Sequence, residues 1–133
     1  DAWYWFDDSG VMVTGLKQIG SRYYFFDEAG VMQTGWLNLN GAWHYANASG
    51  GFETGWLSLG DSWYWFNDAA EMAIGWRTIG GSKYYFENSG AMVTGWKWIN
   101  GSCYYFDGSG AMQSSKWIDG DYVDAEGKWV RGA

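Results

Sequence analysis

The sequence predicts an all-β fold, a solenoid of stacked β-hairpins. Three observations carry that prediction. The 133 residues repeat with a period of twenty, and internal repetition decides architecture before any local signal does. Turn-forming dipeptides recur at one place in each copy. Strand-forming aromatics dominate the composition, with twelve Trp, ten Tyr and seven Phe. No proline bars central strands, and the 21 glycines suit frequent turns better than helices.

The full copies are residues 15–34, 35–54, 55–74, 75–94 and 95–114. Residues 1–14 are the second part of a preceding copy, and residues 115–133 form a divergent cap, so 1–133 reads as a single repeat domain. The start at Asp1, part-way through a copy, reads as a processed chain or an excised fragment. In the twenty-slot register used below, the leading glycine (Gly15, Gly35, Gly55, Gly75, Gly95) is slot 1.

Slots 1–5 predict a first strand, and slots 8–12 a second. Between them stand Gly20-Ser21, Asn40-Gly41, Gly60-Asp61, Gly80-Gly81 and Asn100-Gly101, dipeptides that supply the positive φ of two-residue primed turns. Such a turn fixes the register: slot 5 faces 8, slot 4 faces 9 and slot 2 faces 11. Side chains alternate along a strand, so slots 2, 9 and 11 share one face while slots 5, 10 and 12 share the other. Slots 13–16, as in Asp27-Glu28-Ala29-Gly30, predict an Asx-type turn ending in a left-handed glycine. Slot 18, usually Met, lies in the link to the next copy. In the cap, Lys116 to Val123 predicts a shorter hairpin around Asp119-Gly120, followed by one more turn and strand from Asp124 to Trp129. A lone hairpin is marginal in water, so the copies are expected to stack along an axis.

Several function classes are disfavoured. The formal net charge of −7 opposes binding to nucleic acid and to anionic membranes. No stretch approaches the roughly 20 apolar residues of a membrane span, so no membrane insertion is expected. The one Cys, Cys103, excludes an internal disulfide and has no metal-ligand companion. The one His, His44, stands at slot 10, where the other copies have Tyr, and reads as packing. The acidic residues Asp7, Asp27, Glu87 and Asp107 recur with Asn67 at slot 13, a turn position, so turn chemistry explains them better than a glycosidase pair or a calcium loop. No enzyme and no cofactor is expected, although the module could target a larger enzyme.

The face of slots 2, 9 and 11 is costly to bury completely, because each indole N–H wants a partner. Aromatic slots between hairpins would suit a quaternary ammonium, which forms no ordinary hydrogen bonds and is attracted to several ring faces. They could also stack sugar rings, with Asn38, Ser58, Thr78, Lys97 and Lys17 reading hydroxyls.

The order Thr54-Gly55-Trp56, then Trp63-Tyr64-Trp65-Phe66, then Met72 resembles the choline-binding repeat family, the cell-wall-binding repeats of Gram-positive bacteria. Related repeats occur in clostridial toxins and streptococcal glucan-binding proteins, where the ligand is carbohydrate. The resemblance covers nearly the whole chain. It implies a choline-binding-module-like superhelix of hairpins, with choline caged by two aromatics of one copy, a third from the next and a nearby Met. Carried over by position, one cage is Trp36, Trp43 and Trp65, closed by Phe52. A second is Trp56, Trp63 and Tyr85, closed by Met72. Weaker positions are Tyr23 with Tyr45, where Leu16 replaces a Trp; Trp76 with Tyr105, where Lys83 replaces a ring; and Trp96 and Tyr122, where Cys103 replaces one. The expected ligand is choline or choline-bearing teichoic acid, in an extracellular setting at the bacterial cell surface or wall. The alternative is a cell-wall or exopolysaccharide glycan, and a purely structural spacer stays open as a third reading.

Overall fold

Two central residues with positive φ turn a strand back on itself with the twist that strands prefer. The chain does this at Asn40-Gly41 (φ 54° and 88°), Gly80-Gly81 (61° and 89°) and Asn100-Gly101 (50° and 87°). At Gly20-Ser21 and Gly60-Asp61 the first residue alone is positive, as a II′ turn requires. The computed structural model, which describes residues 2–132, places a hairpin around each. They are β1 (Gly15–Ile19) with β2 (Arg22–Phe26), β3 (Gly35–Leu39) with β4 (Ala42–Ala46), and β5 (Gly55–Leu59) with β6 (Ser62–Phe66). Then come β7 (Gly75–Ile79) with β8 (Ser82–Phe86), and β9 (Gly95–Ile99) with β10 (Ser102–Phe106). At the end β11 (Lys116–Ile118), β12 (Asp121–Val123) and β13 (Trp129–Val130) form a three-stranded ribbon, the turn and extra strand expected of the cap. The fold is an all-β array of hairpin repeats.

The register is the one the turns dictate. Ile19 pairs with Arg22, Gln18 with Tyr23 and Leu16 with Phe25, and the same slots pair in the other described ladders. Slot 13 makes the expected Asx turn. The Asp27 Oδ1 accepts from the Ala29 and Val31 N–H groups at 2.9 Å each, and Gly30 follows at φ 83°. Slot 18 then pairs back with slot 12 of its own copy, as in Phe26 with Met32.

What ties one copy to the next is a single recurrent backbone bond. The slot 18 N–H donates to the slot 9 carbonyl of the preceding copy: Met32 to Trp3, Phe52 to Tyr23, Met72 to Trp43, Met92 to Trp63 and Met112 to Lys83, all at 2.8–2.9 Å. Side chains reinforce it. Three slot 18 Met side chains lie where a Cβ on the slot 16 glycine of the next copy would sit: Met12 under Gly30, Met32 under Gly50 and Met92 under Gly110. Those glycines are therefore needed both for their positive φ and for the room they leave.

The contacts of the chain divide into two compact units. One comprises the residues up to Leu57 with Trp65–Met72, the other Ser58–Tyr64 with the residues from Ala73 on. In the first, Ala46, Phe52 and Ala70 form a buried cluster against Tyr23, Phe25, Leu37 and Leu39. In the second, Val93, Ile99 and Phe106 form another, against Tyr85, Tyr104 and Met112. Slot 12 is the core position of the five full copies: Phe26, Ala46, Phe66, Phe86 and Phe106 are all buried, whereas Phe6 in the partial first copy is exposed. Burying one such phenylalanine contributes about 1.5–3 kcal/mol. Slots 5 and 10, on the same face, are half-buried except at Ile99 and His44, which are buried, and Tyr4, which is exposed.

Candidate functional site

Cross-strand pairing puts slot 2 opposite slot 11, and their rings meet edge to face in two hairpins and at a tilt in a third. Trp36 and Tyr45 have centroids 5.2 Å apart, Trp76 and Tyr85 also 5.2 Å, and Trp96 and Tyr105 5.0 Å. The cap repeats the device with Trp117 and Tyr122 at 5.1 Å. The slot 11 ring props the tryptophan upright, and the indole stays partly open. Trp36, Trp56, Trp76 and Trp96 all remain exposed, as do Trp43 and Trp63 at slot 9.

In the first unit Trp36 and Trp43 stand 6.3 Å apart and nearly perpendicular, at 81°. They are 39% and 41% exposed, so two indoles line one open corner. Behind them Trp36 packs 6.0 Å from the Phe66 ring of the next hairpin. Trp65 is half-buried on β6. Phe52, expected to close this cage, is 2% exposed. It packs with Ala46 and Ala70, 5.0 Å from the His44 ring, and offers no surface to a ligand. The reason is local: slot 12 is Ala46 in this copy, and Phe52, bridged to it, fills the vacated volume. His44 is buried beside them, its Nδ1 bonded to the Ala70 carbonyl at 2.7 Å. Tyr23 packs against the same cluster, whereas Tyr45 belongs to Trp36, so those two rings serve different neighbours. A cavity of about 380 Å³ in this unit is lined by Trp3, Trp5, Tyr24, Phe26 and Met32 among others.

Of the second expected cage, Trp56 and Trp63 are exposed. Tyr85 is half-buried against Trp76 of its own hairpin, and Met72 is half-buried, its N–H on the Trp43 carbonyl.

In the second unit Trp76 meets the next hairpin through Tyr104, at 5.0 Å and 75°, and through Phe106, at 5.8 Å. Tyr105, the expected partner, sits instead on Trp96 of its own hairpin. Sequence reasoning thus missed the slot 10 tyrosine. It shares a face with the buried slot 12, and stacking brings that face against the slot 2 tryptophan of the copy before. Tyr122 likewise has Trp117 as its ring partner. Cys103 is buried at slot 9, and burial pushes its thiol up, against smaller lowering by backbone hydrogen bonds at Lys97 and Tyr104. Around Trp76 a cavity of about 550 Å³ is lined also by Arg77, Thr78, Lys83, Tyr104, Glu126 and Lys128. Among the described residues, no three His, Cys, Asp or Glu gather as a metal would need.

The chain matches the choline-binding repeat over residues 13–52 and 73–117. It matches the cell wall binding repeat over residues 1–12 and 54–69. It is similar to the crystal structure of choline binding protein F from Streptococcus pneumoniae, at 37% identity and a TM-score of 0.94 over 98% of this chain and 44% of that one. It is also similar to CbpJ from Streptococcus pneumoniae TIGR4, at 35% identity and a TM-score of 0.89 over 98% of this chain and 48% of that one. The modular Cpl-1 endolysin, solved with a peptidoglycan analogue, is 28% identical with a TM-score of 0.63, over 90% of this chain and 37% of that one. The chain spans less than half the length of each of these three. No match was found among curated proteins. The matched repeats cover well over half of the sequence, and the chain belongs to the choline-binding repeat family.

Proposed function

We propose that this chain is a non-catalytic cell-wall-binding module that holds the choline headgroups of teichoic acid at the bacterial surface, with residues 1–133 acting as one repeat domain. The observation that carries this reading is the open, right-angled pair Trp36 and Trp43. Two ring faces set at a right angle present negative potential to a trimethylammonium group from two sides, at about 0.5–2 kcal/mol per ring. Trp65 would supply a further wall, and Trp56 with Trp63 repeats the slot pattern one copy on. A site of two or three rings would bind single choline with a Kd of about 1 mM, equivalent to about −4 kcal/mol.

Calorimetric titration with choline tests the proposal. Saturation in the millimolar range is expected, with Trp36→Ala or Trp43→Ala weakening binding at that site at least tenfold. Silence to tens of millimolar choline, together with a saturable response to a glucan, would transfer the module to carbohydrate.

A further inference from the structure

The cavity around Trp76 departs from the aromatic corner in the sign of its charge. Slot 9 carries Lys83 there, where the first four copies have Trp or Tyr. Lys83 pairs with Thr78 across the hairpin, on the face that also bears Trp76 and Tyr85. The Lys83 carbonyl accepts the Met112 N–H at 2.8 Å, so its backbone is fixed by the following copy. Opposite, the cap brings in a second cation: Lys128 is bridged to Tyr104, whose ring stands on Trp76. A third comes from Arg77, whose Nη1 donates to the Trp76 carbonyl at 3.1 Å.

Three of the eight Lys and Arg of the chain therefore line one cavity, in a protein of net charge −7. The single lining carboxylate, Glu126, is paired with Lys128 at 3.4 Å and is largely exposed. Among the described residues neither Lys83 nor Arg77 has a carboxylate within 4.0 Å. A quaternary ammonium would meet repulsion here in place of a ring face.

We infer that the Trp76 cavity is a second kind of site, one that takes a sugar bearing an anionic substituent, a carboxylate or a phosphate. Trp76 and Tyr104 offer apolar ring surface to the C–H groups of a pyranose. Thr78, the Tyr104 hydroxyl and Glu126 offer partners for hydroxyl groups. Lys83, Lys128 and Arg77 receive the anion, which charge-assisted hydrogen bonds hold more strongly than neutral ones. The volume of about 550 Å³ accommodates a monosaccharide unit. This inference does not rest on choline binding elsewhere in the array.

The test is calorimetric titration of the whole chain with N-acetylmuramic acid, glucose 6-phosphate, N-acetylglucosamine and choline. At least one of the two acids should bind ten or more times tighter than N-acetylglucosamine, and raising salt should weaken it. Which acid binds separates a carboxylate-bearing glycan from a phosphate-bearing one. Lys83→Ala should remove most of that preference and leave the choline isotherm unchanged. Lys83→Trp should abolish acid-sugar binding. Lys83 is exposed, so both variants should fold, and circular dichroism checks that they do. Equal binding of acidic and neutral sugars, no binding of either acid, or acid binding indifferent to Lys83→Ala would overturn the inference.

Discussion

Ala46 and Phe52 exchange large for small. Elsewhere the bridged pair at slots 12 and 18 is Phe with Met, as at Phe26 and Met32, but in the third copy it is Ala with Phe. Both members are buried, so neither can change alone without cost. Ala46→Phe should destabilise by about 1–3 kcal/mol through overpacking. The double variant Ala46→Phe, Phe52→Met should recover much of that loss, and urea denaturation of the four-member cycle measures the coupling. Asp107 permits a second prediction at this scale. The Ser109 hydroxyl, donating to Oδ1 at 2.7 Å, holds its carboxyl below the usual carboxylate range against a smaller desolvation effect, helped by the backbone N–H groups of Ala111 and Ser109 and by the charge of Lys116. A depressed folded value means that this stabilisation is present above the ordinary Asp value of about 3.9 and is lost as pH falls through the folded one. Asp107→Asn should therefore lose less stability between pH 5 and pH 2 than the parent chain does. Thermal melts across that range check it, and Asn47 and Asn67 show that the turn accepts Asn.

The turn between copies is an element with one weak example. At Asp7, Asp27, Asn47, Asn67, Asp107 and Asp124 a short side chain accepts the N–H groups two and four residues on. Glu87 carries an extra methylene and reaches outward to Lys97 at 3.0 Å, while a 3.4 Å contact from Ala91 N–H to the Ser89 hydroxyl stands in. Exposed ion pairs contribute about 0–1 kcal/mol, and two restored hydrogen bonds about 0.5–1.5 kcal/mol each. Glu87→Asp should raise stability by about 1 kcal/mol, seen as a higher Tm. The hairpins themselves were legible in the sequence because a two-residue turn leaves one register open. The role of Tyr104 was not legible, and that of Phe52 was misread. Strand alternation says which residues share a face but not which neighbour that face meets, and so it hid the approach of Tyr104 to Trp76. The Phe52 position was within reach of a volume argument: an alanine at a slot otherwise held by phenylalanine announces that another side chain has moved in.

At the scale of the whole molecule, weak sites become useful through number. A polymer bearing many choline groups makes each binding event after the first intramolecular, with gains of about 10²–10⁴ when the spacing permits. Choline-bearing teichoic acid should therefore compete with free choline at concentrations at least a hundredfold lower, counted per headgroup, and Trp36→Ala with Trp43→Ala should erode that advantage more than either change erodes binding of the monomer. Displacement of the chain from immobilised choline measures both.

The bond from slot 18 to the slot 9 carbonyl joins residues twenty-nine apart, wherever it occurs. Its span sets a rule of inheritance. Removing or duplicating any twenty residues in phase leaves every partner at its proper separation, while a change out of phase breaks the ladder on both sides. Recombination between copies can thus lengthen or shorten such a protein while keeping this bond in register, so that copy number becomes a quantity a lineage can vary.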